Sequence, residues 1–470
     1  MPKQSSGFDD KMSPQERRTA YSLAAIYMVR MLGLFMILPV FTMYGAELKG
    51  HTPFLVGLAL GIYGLSQASF QILLGKLSDT IGRKPVILGA LTLFILGSVV
   101  AALSHTIVGV IIGRALQGAG AMSSTVLALA ADLTREQHRT KIMATIGVTI
   151  GIAFTLGMVL GPVLNSLIGV GGIFWTTAAL GTVAMGIVIG VVPAPRSHLH
   201  HRDIGVETAS FGKVLGNPEL LRIDLGIFIM QFVLTSNFVA LPVVLAHTTH
   251  IATNESWKLY LPIMVLAFMA MIPFIIIAEQ KRKMRQILLG AITVLGLASL
   301  ADIYVDRSLV AMAINLLCFF TAFSVLEATL PSLVAKVAPV SQKGTAMGAY
   351  STSQFLGVFA GGTVGGILKG IWGVNGDFLA CACLALLWLS VARKMPEPRY
   401  LSSYVLPIDA ADPKAAQALQ ASLAAIRGVA EVAVVEDERA AYLKIDRAVV
   451  DEAELLAFAR SSGEAFAAGS

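Results

Sequence analysis

Charge is what this 470-residue chain lacks most: Asp, Glu, Lys and Arg make up 14% of it, where soluble globular domains carry about 25%. Cysteine is scarce, and Cys318, Cys381 and Cys383 all lie inside apolar runs, which excludes a disulfide framework or a thiolate metal site. No Walker loop is present, so direct ATP hydrolysis is unsupported; no enzyme chemistry, cofactor or metal is expected. Residues 1–20 are polar, and no cleaved signal peptide is expected ahead of the first apolar run. What the chain has instead is apolar length. Its hydrophobic fraction is 56% and its mean hydropathy +0.74. Apolar runs of roughly 18–25 residues recur, each able to cross a hydrocarbon core of about 30 Å. The composition is that of a polytopic membrane protein, with the lipid bilayer as its solvent.

Spans are expected near 21–46, 54–75, 85–103, 107–131, 142–168 and 169–192, then near 219–246, 257–278, 286–304, 308–334, 344–368 and 372–394. That divides the chain into an N-terminal segment 1–20, a six-helix bundle 21–192, a linker 193–218, a second bundle 219–395 and a tail 400–466. Basic residues crowd alternate connections: Arg17 and Arg18; Lys76, Arg83 and Lys84; Arg135, Arg139 and Lys141; Arg196, Arg202 and Lys213; Lys281, Arg282, Lys283 and Arg285; Lys336 and Lys343; Arg393 and Lys394. The positive-inside bias then puts both termini in the cytoplasm. The net charge of +6 divides into about −5 for 400–470 and about +11 for the rest, and this excess sets orientation instead of recruiting nucleic acid. The halves echo each other about 200 residues apart: Asp79 with Arg83 and Lys84 corresponds to Glu279 with Lys281–Lys283. Parallel repeats of this kind place a small-molecule site between the halves near the midplane.

Between the second and third spans stands Gly75-Lys76-Leu77-Ser78-Asp79-Thr80-Ile81-Gly82-Arg83-Lys84, followed by Ile87. An acid, three bases and two glycines fill a connection far too short for a domain. The stretch resembles the signature loop of the major facilitator superfamily, G-x-L-a-D-r-x-G-r-k-x-x-l, with Thr80 where a base is usual. The resemblance implies an all-α polytopic membrane protein with twelve transmembrane helices in two six-helix pseudo-repeats, working as a secondary transporter. It also implies a conformational latch. Asp79 would hold the start of the eleventh helix near Gly344 and Thr345, and Arg83 would pair with Asp132 at the end of the fourth span. Gly75 and Gly82 fit as positions of close approach and tight turning, with Lys84 beside them.

Arg114, in the run Arg114 to Gly120, resembles the superfamily's R-x-x-Q-G motif of proton-coupled members. A guanidinium inside a span costs about 2.5 kcal/mol or more, so it must face the interior. Gly157 to Pro162 matches the core of the antiporter motif through Gly157, Gly161 and Pro162, although Val148 and Asn165 stand where glycine is expected. Glu327 and Arg30 are further charges within spans. Desolvation favours the neutral form of a carboxylate, so Glu327 is the first candidate for the coupling proton, with Arg30 and Arg114 grouped beside it; Arg114 would lower the proton affinity of a nearby carboxylate or contact substrate directly, a structural interhelical tie being the alternative. A structural pairing of Glu327 with Arg30 is the alternative, and Asp224 is a secondary candidate. Gln67, Gln71, Asn237 and Gln354 are candidate cavity residues that equally suit helix–helix hydrogen bonding. His198, His200 and His201 read as a solvated linker.

The tail differs in kind. Strand candidates at Tyr404–Asp409, Val429–Glu436 and Ala440–Arg447 surround a helix over Asp412–Arg427, and a second helix is expected over Asp451–Ser461. This is the order of a small α+β ferredoxin-like domain. Its second strand resembles that of heavy-metal-associated domains, but the tail has no cysteine to bind a soft metal. The whole arrangement resembles YajR-type efflux transporters of the bacterial inner membrane. That resemblance implies proton-driven antiport of small hydrophobic or cationic compounds, with protons and substrate as the ligands. A symporter or uniporter of a small metabolite, and a non-transporting membrane sensor, are the competing readings. The acidic tail is expected to dock on its own basic loops.

Overall fold

Ser13 starts the first helix. Its hydroxyl accepts from the Glu16 N–H at 3.1 Å, and the Glu16 carboxylate accepts from the Ser13 N–H at 2.8 Å, a capping box with Pro14 in the first turn. Helix α1, Pro14–Phe35, therefore begins ahead of the expected 21. The computed structural model describes residues 12–134, 136–193, 212, 216–248, 255–304, 308–339, 343–397, 402–407, 413–435, 440–445 and 450. The remaining helices are α2 Leu38–Gly45, α3 Pro53–Ile81, α4 Arg83–Leu103, α5 Ile107–Ala119, α6 Ser123–Asp132, α7 Glu136–Gly190, α8 Pro218–Thr248, α9 Trp257–Gln280, α10 Met284–Ala301, α11 Leu309–Val337 and α12 Lys343–Ala392. The tail adds β1 Ser402–Pro407, α13 Pro413–Ala425, β2 Val429–Val435 and β3 Ala440–Ile445.

Among the described residues, ten helical segments are long and apolar enough to cross a membrane, but two of them run to 46 and 49 residues. At 1.5 Å per residue these are about 70 Å long, more than twice a hydrocarbon core. Each is broken by a glycine in the left-handed region, Gly169 at φ 67° and Gly373 at φ 71°, a conformation that costs a side-chain-bearing residue dearly. Each long helix is thus two spans joined by a one-residue corner, and the bundle has twelve. Spans 1 and 4 are themselves interrupted, between α1 and α2 and between α5 and α6, where continuous helices were expected. The face carrying Arg17, Arg83, Lys281, Lys336 and Arg393 is called the basic face below, and the opposite one the far face.

Helices in lipid gain no hydrophobic reward for meeting each other, so close packing relies on small residues. Three seams do this. Span 2 meets span 11 at Gly57, Gly61 and Gly64, whose added Cβ atoms would lie 2.1 Å from the Gly362 carbonyl, 2.6 Å from that of Phe359 and 2.4 Å from that of Phe355. Span 11 meets span 7 at Gly357 and Gly361, 2.3 Å and 2.4 Å from the carbonyls of Phe228 and Phe232 on the same measure. Span 5 meets span 1 at Gly157 and Gly161. Where the halves face each other, Phe35, Phe154, Phe320 and Phe323 form an aromatic layer, with ring centroids 5.0 Å apart for Phe35–Phe154 and 5.4 Å for Phe154–Phe323.

In the tail, β3 lies between β1 and β2 and runs antiparallel to both. This is a split β-α-β unit of the ferredoxin-like kind. Ala441, Leu443 and Ile445 turn one face of β3 onto Leu423 and Ile426 of α13, as the two-residue strand period requires. The expected second helix, the charged turn 437–439 and the histidines of the linker lie outside the described residues.

Candidate functional site

At the basic face, α3 and α4 are joined by Gly82 alone, at φ 98°. The turn swings Arg83 back over the end of α3. Its Nη1 donates to Ser78 Oγ at 2.6 Å and to Asp79, while its Nε donates to Asp132 Oδ2 at the end of α6, at 3.1 Å. One guanidinium thus ties spans 2, 3 and 4 together. Gly75 faces Ser124 across the same junction, where a Cβ would lie 3.2 Å from its hydroxyl. Lys84 donates to the Val192 carbonyl at 2.5 Å, closing the end of span 6 onto span 3. Among the described residues the only hydrogen bond of the Asp79 carboxylate is to Arg83; none reaches Gly344 or Thr345. The second half has its own bridge, in which Glu279 accepts from Lys336 at 2.7 Å and from Ser332 at 2.8 Å.

Arg30 and Arg114 are both fully buried, and no carboxylate pairs with either among the described residues. Arg30 donates to Ser123 Oγ at 2.6 Å and to Gln67, which itself donates to Ser123 at 3.2 Å. Arg114 donates to Gln117 at 3.0 Å and to the Ala59 carbonyl at 3.3 Å, and its guanidinium lies 4.9 Å from the Tyr63 ring centroid. Neutral acceptors and an aromatic face replace the counter-ion that the sequence led us to seek. The pairing of Glu327 with Arg30 is not formed.

Glu327 lies on α11 one turn beyond Phe323, on the basic-face side of the aromatic layer, and is half-buried. Gln231 of span 7 donates to its Oε2 at 3.1 Å, and Gln354 of span 11 to its Oε1 at 3.3 Å. Both carboxylate oxygens are therefore held by neutral amides, and among the described residues no cation pairs with the group. Phe323, one turn away on the same helix, packs against Phe154 of the first half at 5.4 Å between ring centroids.

Gln71 joins the halves, donating to Thr352 at 3.1 Å and accepting from Ser351 at 3.3 Å. Towards the far face the halves are sealed by the span 2–span 11 seam and by Thr42, which donates to the Phe238 carbonyl at 2.7 Å. Between Gln71 and the basic face, no hydrogen bond joins the halves among the described residues. Gly157 and Gly161 abut the break in span 1, with added Cβ atoms 2.6 Å from Phe35 and 2.2 Å from the Met36 carbonyl. Pro162 continues α7, and the dihedral break falls at Gly169. Asn237 is buried with neither amide atom partnered among the described residues.

The model of the Major Facilitator Superfamily matches residues 23–362, nearly three-quarters of the chain. The chain belongs to the major facilitator superfamily. A second model, that of the YajR YAM domain, matches residues 405–461. The inner membrane transport protein YajR of Escherichia coli K12 is 47% identical over 447 residues, covering 95% of this chain and 98% of that protein. An uncharacterized transporter of Buchnera aphidicola subsp. Acyrthosiphon pisum is 36% identical, covering 74% of this chain and 89% of its own. Among solved structures, a bacterial homologue of the human lysosomal transporter Spinster, inward-facing and occupied, superposes with a TM-score of 0.67 at 12% identity, over 82% of this chain and 97% of that one. A D-xylose–proton symporter superposes at 0.66 and 17% identity, over 81% and 98%. These structural likenesses carry the superfamily fold, and the chain is a multi-pass membrane transporter of that superfamily.

Sequence reasoning missed several polar groups of this transporter. Gln231 was passed over because a lone amide in an apolar run carries no pattern. Asp302 and Asp377 sit near span ends, where charge is ordinary, Lys369 reads as a connection base, and Ser236 is a lone hydroxyl in an apolar run. Only the helix packing shows Asp377 fully buried, accepting from Ser236.

Proposed function

We propose that this chain is a proton-driven antiporter that exports small hydrophobic or cationic compounds by alternating access. It resides in the inner membrane with both termini, and hence the basic face, in the cytoplasm. The bundles 21–192 and 219–395 are the rocking bodies. Glu327 carries the coupling proton. The observation that supports this reading is its setting beneath the aromatic layer where the halves meet: a half-buried carboxylate held by two amides and, among the described residues, by no cation. Such a group exchanges a proton without breaking an ion pair, and the vacated charge is available to a cationic substrate. The far-face seal and the unjoined basic face then correspond to an inward-facing state. Asp79, bound only to Arg83, corresponds to a latch released from span 11. The acidic module 400–466 docks on the basic loops and biases this gate.

Val148 is largely exposed and Gly147 meets nothing within 4 Å, so the first part of the antiporter motif makes no close packing here. That departure favours symport as the second reading. Proteoliposomes with an imposed pH gradient separate the two. Addition of an exported compound should release protons in the antiport direction, and Glu327→Gln should abolish the release. Proton movement in the same direction as the compound would support symport, and undiminished coupling in Glu327→Gln would move the proton elsewhere.

A further inference from the structure

Two buried acids of the second half take no part in this scheme. Asp302, at the far end of α10, accepts from Asn315 Nδ2 at 2.6 Å. Asp377 lies four residues past the Gly373 corner and is fully buried. Its Oδ1 accepts from the Ser236 hydroxyl, and its Oδ2 has no partner among the described residues. The space for this pair is built into span 11, because a Cβ on Gly365 would lie 2.6 Å from Ser236 Oγ and 3.1 Å from Asp377 Oδ1. One turn further along span 11, Lys369 donates to the Val239 carbonyl at 3.1 Å and lies in electrostatic range of Asp377. Cys381, buried one turn along span 12, is in range of both acids and of Ser236.

A carboxylate deep in a low-dielectric interior persists as an ion only when a counter-charge and hydrogen bonds satisfy it. Asp377 has one hydroxyl, and the nearby ammonium is engaged by a carbonyl of span 7. The groups facing it are Ser236 from span 7 and Lys369 from span 11, with Cys381 one turn along its own span; Asp302 of span 9 is hydrogen-bonded to Asn315 of span 10. This is a proton acceptor with a counter-ion in reserve. A protonated Asp377 would leave Lys369 on the Val239 carbonyl of span 7, and a deprotonated one would draw it towards span 12.

We infer that Asp377 is a second proton-binding site of this transporter, set towards the far face of the second half, whose occupancy acts on span 11 through Lys369. Gly366, three residues before Lys369, lies in the far-face seam, where its Cβ would be 2.6 Å from the Pro53 carbonyl. A displacement of Lys369 is therefore felt where the halves are sealed. The inference does not require Glu327 to carry the coupling proton, and the test keeps the two apart.

The experiment uses the full-length protein in nanodiscs without substrate, with Cys318 and Cys383 replaced by serine and spin labels at His51 and Trp372, which flank the seam. Distance distributions are recorded at acid and alkaline pH. The wild type should shift with pH, part of that shift should persist in Glu327→Gln, and Asp377→Asn added to that variant should lose the part that persists. A wild-type shift in Asp377→Asn overturns the inference. Should that variant fail to fold, Ser236→Ala retains the carboxyl and removes its hydrogen bond. Its pH midpoint should move, and the carbonyl stretch of a buried protonated acid should move with it in the acid-minus-alkaline infrared difference spectrum. A midpoint and spectrum identical to wild type overturn the inference as well.

Discussion

Replacing Gly57 by alanine sets a methyl carbon 2.1 Å from the Gly362 carbonyl oxygen and 2.8 Å from Gly366 Cα. Both obstacles are backbone, so no rotamer change relieves the clash, and spans 2 and 11 must part by about 1 Å to reach ordinary contact. Overpacking of this kind costs about 1–3 kcal/mol. The cost falls only on the conformer in which the seam is shut. The ratio of shut to open conformers should therefore drop about 5- to 150-fold, at 1.4 kcal/mol per factor of ten. The label pair at His51 and Trp372 reads this directly as a longer, broader distance distribution. Gly89→Ala is the control, since a Cβ there meets nothing within 4 Å, and it should leave the distribution unaltered. A Gly57→Ala protein with the wild-type distribution would refute the claim that backbone contact seals the far face.

Three further outcomes are expected. Arg83→Gln and Asp132→Asn should each lower transport, and their double mutant should be no worse than the more severe single one, with a coupling of about 0.5–3 kcal/mol in a double-mutant cycle; additive losses would mean the two act separately. Gly82→Ala, at φ 98°, should lower the thermal stability of the purified protein by about 1 kcal/mol or more, because alanine is strained there; an unchanged melting temperature would count against it. Deletion after Tyr400 should change the transport rate in a salt-sensitive way, since docking of charged surfaces is screened over about 8–10 Å at ordinary ionic strength. Identical kinetics across salt concentrations would dispose of tail docking.

Much of the architecture was legible in the residues because lipid imposes it. Span length, the alternating basic connections and the span boundary at 168/169 follow from apolar run length and charge placement, while the glycine corner that makes the boundary does not. The joining of Arg83 to Asp132 was legible too, through the loop motif. The partners of intramembrane charges were not legible. Arg30 was expected to seek an acid and found Ser123 and Gln67, because which residues meet depends on the rotation of neighbouring helices, and apolar runs do not encode it. The breaks in spans 1 and 4 were hidden for a similar reason. Gly120 is one of many glycines, and only its closeness to the Ala90 carbonyl, 2.4 Å from an added Cβ, shows what it is for.

The seam between spans 2 and 11 also has an entropic consequence. A contact made by side chains freezes their rotamers each time it forms, at up to about 2 kcal/mol for a long residue. Glycine has no rotamers to lose. Closing Gly57, Gly61 and Gly366 against facing backbone therefore adds almost no ordering penalty from their own side chains. That share of the cost of closure is the same whatever lies beneath Phe154 and Phe323. A door hung in this way asks no more ordering of its own edge for one cargo shape than for another.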